Sequence, residues 1–214
     1  MTLLHNLRIA GCFILLFATA YSCSENRPAP PSKLYMQRLT TFRKMKNDYF
    51  AKSPESPIPS KNRTTFSELP YFSANTDFIF ALKLHKIEKP DTVEILTTDG
   101  QTQKMLKYGY FEFSAAGRQN RLTAFRFIND NGKLRPSLFI PFLDQTNGSL
   151  SYGGGRYLDL KMQHNEIYSV DFNYAYNPSC AYGNSNYSCP VPPEENTLRI
   201  AITAGEKAWA TSQY

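Results

Sequence analysis

The sequence predicts a mainly β (α+β) fold, in which an antiparallel sheet curls into a barrel or sandwich and carries one N-terminal amphipathic helix. Two features of the 214-residue chain support this fold class. From Phe66 onward, apolar and polar side chains alternate in short runs, which is the pattern of half-buried strands. Turn signals such as Asp99-Gly100 and Asn147-Gly148 separate these runs, as expected for strands joined by hairpins.

The alternating runs follow one another closely enough to form a single antiparallel sheet system. In residues 78–84 the alternation places two phenylalanines and two leucines on one face of a strand. Pro136 and Pro141 limit the ladder hydrogen bonds of their own run, which therefore reads as a buried or edge strand. The predicted strands are residues 78–84, 92–98, 101–113, 121–128, 134–143, 152–160, 166–172 and 197–203.

Residues 33–51 predict an amphipathic helix, because apolar side chains recur there at spacings of three and four. Ser32 is a suitable N-cap, and the prolines of residues 54–59 end the helix. The predicted apolar stripe consists of Tyr35, Leu39, Phe42, Met45 and Tyr49. The opposite face consists of Arg38, Arg43, Lys44 and Lys46, for which a solvated surface is favoured over a membrane-contact surface.

Residues 1–22 have the pattern of a signal peptide, since Arg8 precedes an apolar run that is shorter than the roughly 20 residues of a membrane span. Cys23 ends a lipobox-like segment, which predicts its lipidation (palmitate) and a proline-rich, lipid-anchored tether over residues 23–32. The alternative is ordinary cleavage that leaves Cys23 as a free thiol. Acyl chains at Cys23 predict a membrane-anchored lipoprotein of the bacterial envelope, and Ser24 favours the outer membrane.

Residues 33–207 are predicted to form a single mostly-β domain and residues 208–214 a C-terminal tail, because no linker or internal repeat divides them. The chain carries 24 Lys and Arg against 18 Asp and Glu, a formal net charge of +6. Apart from the predicted helix, the basic residues are scattered, unlike the dense basic face of a nucleic-acid-binding protein. We therefore predict no nucleic-acid partner, and the sequence specifies no oligomeric state.

The stretch of residues 171–196 concentrates four tyrosines, four prolines and two cysteines. Proline lowers the entropy of the unfolded chain, so this stretch predicts a long loop of fixed shape. Cys180 and Cys189 predict a disulfide, which is the default for an even pair in an exported protein and stabilises by about 2–3 kcal/mol. A zinc site needs further ligands that no spacing supplies, so no metal and no cofactor are predicted.

The stretch of residues 152–160 combines three glycines with Arg156. The guanidinium of Arg156 can grip a carboxylate or phosphate, which predicts a small anionic ligand. The alternative is a glycine bulge in a curved strand, with Arg156 paired to an acidic residue elsewhere, Glu194 and Glu195 being candidates. The Gly-rich phosphate loop, the H-E-x-x-H motif and the G-x-S-x-G elbow are all absent from the sequence.

The segments "YGGGRYLDL", "DFNYAYNPSCAY" and "SCPVPPEENTLRIAITAGEK", together with "FAKSPESPIP" and "FSELPYF", resemble the signatures of the bacterial domain-of-unknown-function 1684 family. The resemblance runs from about Tyr35 to Lys207, and it names no activity. Glu194 departs from a proline expected at that position. The positions that match the family's motifs are Gly153, Gly155, Arg156, Tyr157, Asn177, Pro178, Cys180, Ala181, Cys189, Pro190, Pro192, Pro193, Glu195 and Asn196.

These observations predict a bacterial cell-envelope lipoprotein whose domain binds a small ligand or a partner without catalysis. The predicted binding residues are Arg156, Tyr157, Tyr176, Asn177, Glu195 and Asn196. The alternative is a hydrolase-like or thiol-dependent enzyme that uses Arg156, Cys180 and Glu195, which requires a thiolate or carboxylate with a shifted pKa.

Overall fold

A computed structural model of the chain describes residues 31–209. The predicted signal peptide, the lipidation of Cys23 and most of the tether lie outside the described residues. The helices are α1 (Lys33–Lys52) and α2 (Ser60–Arg63), and the strands are β1 (Ile79–Lys83), β2 (His85–Lys86), β3 (Thr92–Leu96), β4 (Thr102–Ala115), β5 (Arg118–Phe127), β6 (Ser137–Phe142), β7 (Arg156–Lys161) and β8 (Ile167–Asp171). Short 3-10 helices lie at Thr76–Phe78, Phe172–Tyr174, Ser179–Tyr182 and Glu194–Asn196.

The strands form two antiparallel sheets. In the six-stranded sheet the order is β2-β4-β5-β6-β7, and β3 also pairs with β4. The β3–β4 hairpin turns at the predicted Asp99-Gly100 signal, and Gly100 has a φ of 81° there. In the two-stranded sheet, β1 pairs with β8 in a register that sets Phe80 opposite Val170. The fold is therefore mainly β, with few helices.

The prediction of a closed barrel is wrong for the described part of the chain. A barrel needs its first and last strands to pair. Instead, β8 is not part of the six-stranded sheet and pairs with β1 in the two-stranded sheet. The free edge of β7 is extended by a single antiparallel bridge between Tyr157 and Tyr176. One large apolar core, built from both sheets, includes Phe111 and Phe172 with no exposed surface.

The predicted last strand over residues 197–203 is also wrong. Leu198, Ile200 and Ile202 are buried with the expected alternation, but this segment forms only one isolated bridge, from Thr197 to Leu143. Its backbone hydrogen bonds go to partners outside any strand ladder. For example, the peptide N–H of Ile202 donates to the Asp144 carboxylate over 3.2 Å. A period of two therefore marked a buried extended segment without a ladder.

Helix α1 lies where the sequence predicts it, and the Ser32 side chain caps it by accepting from the Tyr35 N–H over 3.2 Å. The side of α1 that faces the domain differs from the prediction. Met45 is 67% exposed, whereas Lys46 forms a 2.5 Å ion pair with buried Glu206, and Arg43 stacks on the ring of a tyrosine. These two cations, assigned to the solvated face, thus lie on the inner face. Within residues 31–209, no helix is long and apolar enough to cross a membrane.

Candidate functional site

A cavity of about 1050 Å³ lies between the six-stranded sheet, the end of the β3–β4 hairpin and the segment around Cys189. Small-molecule sites commonly have volumes of roughly 300–1,000 Å³. We call it the aromatic cavity. It is lined by Thr97, Gln101, Thr102, Gln103, Phe127, Ile128, Asn129, Asp130, Arg135, Ser137, Phe139, Tyr157, Asp159, Tyr176, Ser179, Tyr187, Ser188, Cys189 and Pro190.

The floor of the aromatic cavity is a row of four rings in contact. Phe127 at the end of β5 lies 4.8 Å from Phe139 of β6, centroid to centroid. Phe139 lies 4.7 Å from Tyr157 of β7, edge to face, and Tyr157 lies 5.7 Å from Tyr176, at a right angle. Strand order places these rings side by side, since β5, β6 and β7 are neighbours in one sheet. Such edge-to-face contacts fix ring orientation.

Tyr157 and Tyr176 are held by the backbone as well as by their rings. The Tyr157 N–H donates to the Tyr176 carbonyl over 2.8 Å, and the Tyr176 N–H donates back over 3.0 Å. The Tyr157 hydroxyl donates to the carbonyl of Pro190, which ties the floor to the loop. The Tyr176 hydroxyl donates to the carboxylate of Asp159.

Asp159 is the acidic residue of the aromatic cavity whose pKa is raised. The surrounding protein raises the pKa of Asp159 by desolvation, although solvent reaches the residue, and the hydrogen bond from Tyr176 partly offsets this rise. Burial also raises the pKa of Tyr176 well above its usual value. Both groups therefore keep their protons more readily than in water, and the pair can donate and accept hydrogen bonds.

The rim of the aromatic cavity is polar and carries little net charge. Hydroxyl and amide side chains dominate it, and Arg135 is the one Lys or Arg among the residues that line the cavity. Two carboxyl groups, those of Asp130 and Asp159, also line the cavity. Hydroxyls and amides both donate and accept hydrogen bonds. This arrangement suits a neutral polar molecule with one apolar face.

Arg156 does not face the aromatic cavity. Its side chain is fully buried, and its guanidinium pairs with Asp144 over 2.7 Å. The same guanidinium donates to the carbonyls of Ile202 (2.8 Å) and Ala204 (2.5 Å). The acidic partner is thus Asp144, and Glu195 pairs with Lys107 over 2.6 Å instead. Arg156 has no exposed surface to offer an anion, so the geometry assigns it to the alternative of a structural arginine.

A buried carboxylate that sequence reasoning missed, Glu206, organises the region behind the cavity. It accepts hydrogen bonds from the Asn177 N–H (2.8 Å) and the Tyr182 hydroxyl (2.5 Å). Lys46 neutralises it from α1. Buried charges need such partners. The only sequence signal was one acidic residue beside Lys207 in the C-terminal segment, and nothing there distinguishes it from a surface glutamate.

The two predicted asparagines are buried structural residues. Asn196 has no exposed surface; its amide oxygen accepts from the Thr123 N–H over 2.7 Å, and its amide nitrogen donates to the Pro141 carbonyl over 2.7 Å. Asn177 donates to the carbonyl of Lys207 over 2.8 Å. The structure therefore brings only Tyr157 and Tyr176, of the six predicted binding residues, to the aromatic cavity.

The predicted disulfide between Cys180 and Cys189 is not formed, and both residues are free thiols. The two cysteines are nevertheless in contact, because the backbone N–H of Cys180 donates to Cys189 Sγ over 3.1 Å. Other bonds fix the loop without a covalent link: the Cys189 N–H donates to Thr98 Oγ1 over 3.1 Å, and the Cys189 carbonyl accepts from the Thr98 N–H over 3.0 Å. The disulfide was predicted from the expected export of the chain. In the structure, hydrogen bonds to Thr98, just after β3, hold the loop instead.

The thiol pair shares its protons unequally. The hydrogen bond with Cys189 lowers the pKa of the Cys180 thiol to about 7. The same hydrogen bond, together with burial, raises the pKa of Cys189. Cys180 is half-buried and Cys189 is buried, so the first ionisation falls on the more accessible sulfur. Over residues 31–209, no three His, Cys, Asp or Glu side chains are grouped to hold a metal ion.

Comparisons with known proteins place this chain among relatives without assigned activity. The family model "Protein of unknown function (DUF1684)" matches residues 64–207, which confirms the resemblance over that range. The solution NMR structure of the uncharacterized protein from gene locus rrnAC0354 of Haloarcula marismortui is 36% identical, with a TM-score of 0.63. That match covers 81% of this chain and 94% of the other. None of the curated proteins searched matches this chain. The chain therefore belongs to the DUF1684 family of proteins of unknown function.

Proposed function

We propose that this chain binds a small, uncharged, hydroxyl-rich molecule such as a saccharide in the aromatic cavity. The observation that carries the proposal is the pair of half-buried rings Phe127 and Tyr176, joined in one row by the buried rings of Phe139 and Tyr157, beneath a rim of hydroxyl and amide groups. Rings cover an apolar face of a ligand, while a few placed polar groups fix its orientation. Saccharides present both kinds of surface.

A neutral ligand fits the aromatic cavity better than the anion expected from Arg156. That expectation depended on a free guanidinium, and the guanidinium of Arg156 is paired with Asp144. The lining of the cavity contains one cation, Arg135, and two carboxyl groups, Asp130 and Asp159. A carboxylate near a bound anion costs free energy, because the two negative charges repel each other. The balance of the lining thus favours hydrogen bonding over ion pairing.

Binding is favoured over the hydrolase-like alternative because the residues of that alternative do not meet. Glu195 is paired with Lys107 at the surface, and Arg156 is sealed in the interior. Neither lines the aromatic cavity. Catalysis needs its groups within hydrogen-bond reach of one substrate. The thiol part of the alternative has separate support in the geometry of the cysteine pair.

Titration calorimetry with maltose and glucose tests the proposed ligand class. We expect binding to the wild-type chain, and a loss of about tenfold in affinity in Tyr176→Ala, since an aromatic contact contributes about 0.5–1.5 kcal/mol. Tyr176→Phe keeps the ring and should change the affinity by less than about threefold. Tyr110→Ala is the matched control, because Tyr110 stacks on His85 outside the cavity.

Two results would overturn this ligand class. One is binding of acetate or phosphate in preference to both sugars, which would restore an anionic ligand. The other is sugar binding that Tyr176→Ala and Tyr110→Ala weaken equally, which would place the ligand elsewhere.

We also propose that the mature chain begins at Cys23 and is held on the outer membrane by lipid. The support is the lipobox-like segment and the proline-rich stretch after it. We expect the intact mass of the exported protein to lack residues 1–22 and to carry acyl chains, and Cys23→Ala to abolish both the lipid mass and membrane partition. An unmodified Cys23 in the membrane fraction would contradict the anchor.

A further inference from the structure

The segment of residues 179–190 places two thiols in contact at the border of the aromatic cavity. The backbone N–H of Cys180 donates to Cys189 Sγ over 3.1 Å, which brings the two cysteines together. Cys189 and the neighbours Ser179 and Ser188 line the cavity. A cysteine whose backbone N–H already touches the sulfur of the other needs little backbone movement to form a disulfide with it.

The reduced form of this segment is well stabilised without a disulfide. Cys189 exchanges two hydrogen bonds with Thr98, and the Val191 N–H donates to the Leu96 carbonyl over 2.7 Å. The Tyr157 hydroxyl donates to Pro190. The segment thus keeps its shape without a disulfide, unlike a segment that depends on a structural disulfide, which resists reduction. The segment therefore suits a couple that cycles between both states.

We propose that Cys180 and Cys189 form a reversible dithiol–disulfide couple that exchanges with small-molecule disulfides. This inference does not depend on the ligand proposed for the aromatic cavity. Cys180 is the attacking residue, because it is half-buried while Cys189 is buried. The Tyr152 hydroxyl lies 4.0 Å from Cys180 Sγ. The lowered pKa of Cys180 agrees with this order of attack.

The exchange proceeds in two balanced steps. The Cys180 thiolate attacks one sulfur of a disulfide R–S–S–R; the S–S bond breaks, a mixed disulfide forms at Cys180, and one R–S⁻ leaves and takes up a proton. Cys189 then loses its proton to solvent, and its sulfur attacks the Cys180 sulfur. The second R–S⁻ leaves and is protonated. The two cysteines are oxidised by two electrons, and the disulfide is reduced to two thiols.

The sequence makes this couple measurable in the full chain. Trypsin cleaves after Lys161 and Arg199 and at no position between them, so one peptide, residues 162–199, contains both cysteines and neither Cys12 nor Cys23. The chain is equilibrated in glutathione buffers from fully reduced to fully oxidised, quenched in acid, alkylated and digested. A peptide with a disulfide is lighter by two hydrogens and is not alkylated.

We expect the disulfide fraction of this peptide to rise with the proportion of oxidised glutathione and to reach the same value from either direction. A peptide that is fully alkylated in every buffer would overturn the couple. A disulfide that persists in fully reduced glutathione would also overturn it, because it would show a structural staple.

Two serine variants test the order of attack, and each retains a hydroxyl in place of the missing thiol. At pH 7, Cys189→Ser should form a mixed disulfide with glutathione at least about fivefold faster than Cys180→Ser, since a thiol of pKa near 7 gains in thiolate fraction more than it loses in nucleophilicity. Equal rates, or faster reaction of Cys180→Ser, would overturn the assignment of Cys180 as the attacking thiol.

Discussion

At the scale of single residues, Arg156 illustrates how a residue with the chemistry of a ligand clamp can be a structural one. Its guanidinium pairs with the buried carboxylate of Asp144 and donates hydrogen bonds to the carbonyls of Ile202 and Ala204, in the segment after Leu198. These carbonyls have no ladder partner, because the segment is not a strand. A buried carbonyl without a partner is costly. Arg156 therefore takes the place of the missing neighbouring strand.

Arg156→Met is expected to lower the free energy of unfolding by about 3–5 kcal/mol, because it leaves Asp144 as a buried, unpaired charge. Urea unfolding measures this change. Arg199→Met is the control: Arg199 lies in the same part of the chain and is exposed, so its loss should change stability by less than about 0.5 kcal/mol. Equal stabilities for the two variants would contradict the structural role of Arg156.

The reactivity of Cys180 should follow its shifted pKa. Iodoacetamide labelling of the folded chain is expected to rise with pH with a midpoint near 7, against a midpoint near 9 in urea. Because folding lowers this pKa, ionised Cys180 contributes stability above pH 9, and this contribution is lost as the pH falls towards 7. Labelling is measured on the peptide of residues 162–199. A midpoint near 9 in the folded chain would refute the shift.

At the scale of elements, the glycine stretch before β7 brings the backbone close to neighbouring atoms at Gly155. Gly155 has a φ of +91°, and a Cβ there would lie 2.6 Å from Pro192 Cγ and 2.7 Å from the Phe142 carbonyl. Gly153 is exposed, and a Cβ there would meet its nearest atom at 3.7 Å. The glycine-rich stretch thus combines one position that requires glycine with one that does not.

Gly155→Ala is expected to destabilise the chain by about 1–3 kcal/mol, from the strained φ and the backbone contact. Gly153→Ala should change stability by less than about 0.5 kcal/mol. Thermal unfolding of the two variants gives the comparison. Similar melting temperatures would show that β7 tolerates a side chain at Gly155, against the packing described.

The elements that were predicted correctly are those with local signals. Ser32 caps α1, and Asp99-Gly100 turns the β3–β4 hairpin, because caps and turns depend on neighbouring residues. The inner face of α1 could not be predicted in this way. Lys46 faces inward only because Glu206, which is distant in sequence, lies buried opposite it. Hydrophobic periodicity contains no information on such a pair.

At the scale of the whole molecule, strand partners were the least predictable feature. The same alternating pattern fits a barrel or two sheets, since β8 presents an apolar face in either case. Its pairing with β1 is a long-range choice that separates the two-stranded sheet. The resemblance to the DUF1684 family, predicted from about Tyr35 to Lys207, was confirmed over residues 64–207. It could be predicted because the motifs of the family are local sequence.

The candidate site was predicted only where its residues lie in unusual sequence. Tyr157 and Tyr176 belong to the two concentrated stretches, and both line the aromatic cavity. Phe127 and Phe139 belong to ordinary alternating strands, where an aromatic residue is typical of the core. Only the order β5-β6-β7 brings these rings beside the tyrosines. Two of the four rings of the floor, Phe127 and Phe139, could therefore not be predicted without the strand order.

Backbone amide chemical shifts of the full chain, mapped during titration with maltose, show directly whether the aromatic cavity binds a neutral polar ligand. We expect saturable shifts in residues that line the aromatic cavity, such as Phe139, Tyr157 and Tyr176, and none around Asn196 or Tyr110, which lie away from it. Shifts confined to other surfaces, or no shifts with maltose or glucose at millimolar concentration, would contradict the claim that this cavity binds a neutral polar ligand.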